Sequence, residues 1–225
     1  MPEQLFRCAH ALRRVLLCAS SLLLCLGGNL SNADSAPTAL GEALRDTRLS
    51  SWQNLLQQPG NQDELAMLET VNRFINRSVV HAEDTELWGE ADYWATPLET
   101  LSRGRGDCED FAIAKYFSLV RMGMPSAKMR LTFVKALQRQ QAHMVLAYYP
   151  SPSAEPLILD NLQQQIRPAS QRRDLLPVYA FNNHGIFLGS APQRQSKQSP
   201  QLLSRWQDVS ARTLVDGSPV QAPQG

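Results

Sequence analysis

One cysteine and three acids sit within a glycine-broken run of this 225-residue chain, Gly104-Arg105-Gly106-Asp107-Cys108-Glu109-Asp110. Phe111, Ala114, Phe117, Leu119 and Val120 follow at helical spacing, so the run reads as a loop that delivers Cys108 to the first turn of a helix. Asp107 stands at a capping position with Asp110 three residues later, close to a capping box, and Gly123 and Pro125 stop the helix near Met122. A thiol at that point lies against the positive end of the helix dipole, which favours the thiolate, the form that attacks carbonyl carbon. Taken alone, the stretch leaves two readings about even, because free cysteines are among the most buried residues and a buried thiol is inert.

The N-terminus changes that balance. Arg7, Arg13 and Arg14 precede an apolar run from Val15 to Leu26, and Ser31-Asn32-Ala33 offers small residues at signal-peptidase spacing, so residues 1–33 read as a signal peptide cleaved after Ala33. The apolar run is short for a retained anchor, and Cys18 and Cys25 each follow a leucine where lipidation wants a small residue. Cleavage discards Cys8, Cys18 and Cys25 and leaves Cys108 as the single thiol of an exported protein. Such a thiol is buried and inert, bridged to another chain, or kept for its chemistry; its place at a helix start favours the last. A net charge of +1 gives no electrostatic case for nucleic acid or for an anionic membrane, and no membrane insertion is expected once the signal is removed.

The elements that must position Cys108 can be read from periodicity. Residues 34–60 form a loosely ordered leading segment with one short helix near Trp52, Leu55 and Leu56, broken by Pro59-Gly60. Asn61 or Asp63 then caps an amphipathic helix with the stripe Leu65, Leu68, Val71, Phe74 and Ile75. Residues 81–101 lack regular periodicity but hold Trp88, Tyr93 and Trp94, which either wall a cleft and offer a docking surface or pack beneath a long loop. After the Cys108 helix come alternating strands over 129–135 and 142–149, the second with His143, Val145 and Ala147 on one face and Met144, Leu146 and Tyr148 on the other. A third strand covers 157–161, and two short ones cover 178–181 and 185–188. Residues 191–225 read as a polar, glutamine-rich tail with one short helix around Leu202, Leu203, Trp206 and Val209, disordered from Asp216. A helix followed by an antiparallel meander is an α+β signature, with the main domain over 61–190.

A nucleophilic thiol needs a base beside it and a third group to orient that base. His81 falls in a loop and His184 in a turn, whereas His143 starts the strand after the nucleophile helix, and Asp160 closes the next strand. A lone strand histidine is more often structural and a strand-end aspartate more often a turn former. Gly106-Asp107-Cys108-Glu109-Asp110-Phe111-Ala112-Ile113-Ala114-Lys115-Tyr116, with Ala142-His143-Met144-Val145-Leu146 and Leu159-Asp160-Asn161, closely resembles the bacterial transglutaminase-like cysteine proteinases of the LapG type over roughly residues 50–190. The resemblance implies a papain-like core, with Cys108 as nucleophile at a helix N-terminus packed on an antiparallel sheet, His143 as general base and Asp160 as its orienting partner. It also implies a periplasmic address, a large surface adhesin as substrate, cut in its N-terminal region to disperse biofilm, and sequestration by an inner-membrane cyclic di-GMP receptor of the LapD type.

The family binds calcium, so the resemblance also implies Ca2+ here, with Asp107, Glu109 and Asp110 as ligands and Asp92 as a further one. Charge gives this a physical sense: three carboxylates beside a thiol oppose its ionisation, and a hard cation held by carboxylate oxygens would neutralise them. The plain alternative is a helix start enriched in acids. Two other functions stay open at this stage, acyl transfer to an amine by a transglutaminase-type enzyme and a non-catalytic binding module of the same fold.

Overall fold

The computed structural model describes residues 35–58, 63–188, 191–196 and 200–216; residues 1–34, where the sequence suggests a signal peptide, and those from 217 onward lie outside the described residues. Helix α1 (Ser35–Leu56) runs for 22 residues, where the sequence suggests a loose segment with one short helix. Only its end meets the core: Trp52 and Leu55 are buried, and Trp52 Nε1 donates to Ser118 Oγ at 2.9 Å. The earlier turns are largely exposed and so carry no apolar stripe to announce them. Helix α2 (Glu64–Ser78) buries Met67, Leu68, Val71, Asn72 and Ile75, close to the expected stripe, with Leu65 left exposed.

Strand β1 (Val80–His81), the short helix α3 (Asp84–Leu87) and helix α4 (Pro97–Arg103) fill the aperiodic stretch before the cysteine. Thr96 and Glu99 form a capping box for α4, Pro97 opens its first turn, and Gly104 ends it at φ 65°, a left-handed conformation that suits glycine. Strand β2 (Arg105–Gly106) pairs in parallel with β1, Val80 opposite Arg105 and His81 opposite Gly106. His81 is therefore in a strand rather than a loop. This short ladder ties the chain after residue 80 to the approach to Cys108.

Helix α5 (Cys108–Arg121) is buried at every position from Asp110 to Val120. Such a helix is covered on all sides, here by the sheet on one flank and by α2 and α4 on the other. The chain turns at Gly123, φ 96°, into a strand series: β3 (Met129–Ala136), β4 (Gln141–Tyr148), β5 (Leu157–Leu159), β6 (Arg167–Pro168), β7 (Leu175–Asn182), β8 (Gly185–Leu188) and β9 (Ala191–Ser196). They form a seven-stranded antiparallel sheet in the order β6-β5-β4-β3-β7-β8-β9. Met129, Leu131, Met144, Leu146 and Tyr148 join the main core with α5, while Val134, Val145, Ala147 and Ile158 form a second cluster on the opposite face.

Of the polar tail expected over residues 191–225, the described residues 191–196 and 200–216 are instead part of the fold. Strand β9 extends the sheet, and helix α6 (Pro200–Val215) is a 16-residue helix whose Trp206 is buried among Tyr116, Phe117 and Phe181, with ring centroids 5.1, 5.3 and 5.7 Å away. From α6, Arg212 bonds Tyr93 Oη at 3.0 Å, Glu99 Oε2 at 2.7 Å and the Trp94 carbonyl at 2.5 Å, and Asp216 accepts from Thr96 at 2.8 Å. These bonds clamp the loop over 91–96 that leads to the site.

Candidate active site and acidic cluster

Cys108 is the first residue of α5 and His143 lies near the start of β4, the strand on which α5 rests, so both line one cleft of about 430 Å³. His143 Nε2 and Asp160 Oδ1 are 2.8 Å apart, with both side chains buried. That bond leaves ring nitrogen Nδ1 as the one available to a second group. Asp160 follows β5, and its Oδ1 also accepts the Leu162 N–H at 3.0 Å, while Arg172 Nη2 donates to Oδ2 at 2.7 Å. Burial opposes the Asp160 charge, but the bonds from His143, Leu162 and Arg172 outweigh it and hold the carboxyl well below the usual range. His81 also lines the cleft and bonds Glu83 at 3.1 Å; His184 Nε2 is 3.1 Å from Ser126 Oγ.

The thiol is surrounded by negative charge. Cys108 Sγ donates to Glu109 Oε2 at 3.0 Å. Burial pushes the thiol strongly upward, the Glu109 charge and bond and the Asp107 charge add to it, and the Met144 N–H works against them. Asp107 occupies the cap position of α5, but its side chain makes no cap hydrogen bond, contrary to the role its position suggests.

Asp107 belongs instead to a cluster. Asp84, Asp107 and Asp110 offer oxygens within 4.8 Å of one another, and so do Asp84, Asp92 and Glu109. Asp84 is common to both sets. The β1–β2 ladder brings it there, and its Oδ2 accepts the Tyr93 N–H at 2.5 Å, as Asp110 Oδ1 accepts that of Ala95 at 2.8 Å. Burial, with repulsion from its neighbours, pushes Asp84 up to about 6 and Asp110 up to about 8, and drives Asp107 upward as well. One oxygen of each, Asp84 Oδ1, Asp107 Oδ1 and Asp110 Oδ2, is buried without a hydrogen-bond partner among the described residues. Three carboxylates that offer oxygens within 4.8 Å of one another, each with one buried oxygen lacking a hydrogen-bond partner, fit a hard divalent cation, which takes an all-oxygen shell. Asp92 is more exposed and already engaged, by Trp94 Nε1 at 2.9 Å and by an ion pair with Arg205.

Residues 49–174 match the family model of the bacterial transglutaminase-like cysteine proteinases. The chain belongs to that family. Among solved structures, this proteinase is similar to calcium-bound Legionella pneumophila LapG, 39% identical with a TM-score of 0.68 over 78% of this chain and 96% of the other. An EGTA-treated form of the same LapG gives 39% identity, a TM-score of 0.68 and coverage of 78% and 94%, and a third LapG structure gives 38%, 0.65, 78% and 95%. No curated protein matches the chain. The α+β fold of the proteinase is that of LapG, and among the described residues no helix is long and apolar enough to cross a membrane.

The sequence reading of this site misses Asp84 and Arg172. Neither is near the cysteine in sequence; a run of acids from Glu83 to Glu86 was the only local hint of the first. Of the two readings left open for the aromatics, packing beneath the loop is the one the structure shows. Trp94 is buried and stacked on Phe181 at 5.6 Å, and Trp88 packs on Tyr93 at 4.3 Å beneath Arg103, so it is Ala91 and Asp92 that wall the cleft. A docking surface built on Trp94 is thereby excluded.

Proposed function

We propose that this proteinase is a calcium-dependent periplasmic cysteine endopeptidase that cleaves the N-terminal region of a large surface adhesin and so promotes biofilm dispersal. The observation that carries the reading is the buried His143–Asp160 bond of 2.8 Å in a cleft shared with Cys108. With Nε2–H committed to Asp160, His143 Nδ1 accepts the thiol proton as Cys108 Sγ attacks the scissile carbonyl carbon. The same proton then goes to the leaving amine, and water hydrolyses the thioester to restore the thiol.

Asp84, Asp107, Glu109 and Asp110, with Asp92 at the edge, would hold calcium, which when bound neutralises the charge that opposes thiolate formation. The calcium-bound and EGTA-treated forms of LapG support calcium as the ion. The family resemblance and the signal-like start of the chain support a periplasmic address and control by an inner-membrane cyclic di-GMP receptor of the LapD type.

The experiment is incubation of the mature protein with N-terminal fragments of large surface adhesins, in calcium and in EGTA, with the new termini read by mass spectrometry. A single cut that needs both calcium and Cys108 is expected. Intact fragments throughout, or equal cleavage by the Cys108→Ala protein, would overturn the reading. Capture from membrane extracts tests the receptor, and no recovery at any cyclic di-GMP level would remove that part of it.

A further inference from the structure

The bond network behind His143 does not stop at Asp160. Arg172 is 3% exposed and lies in the turn before β7. Its Nη2 donates to Asp160 Oδ2 at 2.7 Å and to Asp174 Oδ2 at 2.8 Å, and its Nε donates to Asp174 Oδ1 at 3.0 Å. Asp174 therefore grips the guanidinium by two parallel bonds, the arrangement that fixes an arginine plane most firmly. We propose that Arg172, anchored by Asp174, is a positioning residue that locks the Asp160 carboxylate so that Oδ1 meets His143 Nε2.

The proposal rests on the reading of His143 as base and Asp160 as its orienting acid. A carboxylate at a strand end has a free torsion about its last bond, broad and two-fold. Asp160 Oδ1 accepts two bonds, from His143 and Leu162 N–H, while Oδ2 receives Arg172. With both oxygens assigned, rotation breaks charge-assisted bonds in a buried place. Burial lowers the Arg172 affinity for its proton, but Asp174 and Asp160 outweigh this, so the guanidinium stays charged. Among the described residues, the other charged or titratable groups facing the pair are Lys115 from α5, buried and within the field of Asp160, and, around the cleft His143 shares, Cys108, Asp107 and Glu109 at the start of α5, His81 of β1 with Glu83 and Asp92 beyond it, and Arg139 from the β3–β4 turn, which also lies beside Arg172 and Asp174.

Charge and geometry make separable demands. Arg172→Met removes a positive charge next to the His143–Asp160 pair, so the pair takes up its first proton at higher pH, wherever that proton resides. Asp174→Asn removes a negative charge that faces Arg172, so the pair takes up that proton at lower pH. Arg172→Lys keeps the charge but cannot present parallel donors to Asp174 while reaching Asp160.

The test is the ring titration of His143, followed by NMR in the Cys108→Ala protein with calcium present and identified by its loss in His143→Gln. Arg172→Met is expected to raise the midpoint by on the order of one pH unit, Asp174→Asn to lower it by less, and Arg172→Lys to restore it. In the Cys108 protein, Arg172→Lys is expected to lower kcat with KM held. An unmoved midpoint in Arg172→Met, or both variants shifting the same way as general loosening would, overturns the proposal. If Arg172→Met does not fold, the downward shift in Asp174→Asn decides it, since Asp174 is partly exposed and Arg172 stays in place. A failure of the protease reading appears elsewhere, as no cleavage by the unsubstituted protein, and leaves these titrations to be read on their own.

Discussion

Asp84→Asn is the most informative single change at the acidic cluster, because Asp84 is shared by both sets of converging oxygens. Asparagine keeps the volume and an oxygen to accept the Tyr93 N–H, so the loop is retained while one charge is lost. Above about pH 6, where Asp84 is ionised in the ion-free protein, its charge and that of Glu109, offering oxygens no more than 4.8 Å apart, repel by about 3.5 kcal/mol at an effective dielectric constant of 20. If relaxation absorbs roughly half, the ion-free protein gains about 2 kcal/mol, a rise of roughly 4–8 °C in Tm for a chain of this size. With calcium the sign reverses, since an amide oxygen replaces a carboxylate in the shell and affinity falls about 10–100-fold, or ~1.4–2.7 kcal/mol. The gap in Tm between calcium and EGTA therefore narrows from both ends. Thermal unfolding under both conditions, with calorimetric calcium titration on a Cys108→Ala background, measures each end. An unchanged or lower Tm in EGTA, together with wild-type calcium affinity, would refute the assignment of Asp84.

Gly106→Ala is expected to lose calcium binding and about 1–3 kcal/mol of stability, because an added Cβ lies 2.7 Å from Asp110 Oδ2 and 2.8 Å from Asp110 Cβ; calorimetry and thermal unfolding check it. Calcium affinity should rise with pH from about 6 to 8, the values to which Asp84 and Asp110 are pushed, and fall as protons return below that window. The sign follows because a raised carboxyl keeps its proton in the ion-free protein and must release it to bind the cation; calcium titrations in buffers of differing ionisation enthalpy read the released protons directly. His143→Ala should lower kcat by about 10²–10⁴, with Asp160→Asn less severe; a larger loss in His81→Ala or His184→Ala in the same cleavage assay would reassign the base.

Where a segment packs against its sequence neighbours, its pattern is legible. Helix α5 and strands β3, β4 and β8 stand close to where periodicity puts them, and the order of cysteine, histidine and aspartate along them carries over into the cleft. Helix α1 is under-read because only its last turns, through Leu49, Trp52, Leu55 and Leu56, pack against the core. Strand β9 and helix α6 are under-read because their polar composition resembles a tail, and what holds α6 in place is long-range: Arg212 reaches Tyr93, Trp94 and Glu99. Asp84 and Arg172 have the same character. The first is carried to the cysteine by a two-residue parallel ladder too short to leave a periodic trace, the second by a turn that only the folded sheet sets behind Asp160. Asp107 shows the converse, a residue whose cap-like position is legible while its side chain turns to the acidic cluster.

Under the proposed function, Cys108 becomes a competent nucleophile only when the carboxylates around it are neutralised. The most direct measurement is the rate of Cys108 alkylation by iodoacetamide against pH, in saturating calcium and in EGTA, with intact mass as the readout. In protein prepared without residues 1–33, Cys108 is the single thiol, so the label reports one site. Calcium is expected to shift the whole profile to lower pH and magnesium is not, because magnesium demands a tighter octahedral shell and dehydrates reluctantly. Superimposable profiles in calcium and EGTA would contradict it.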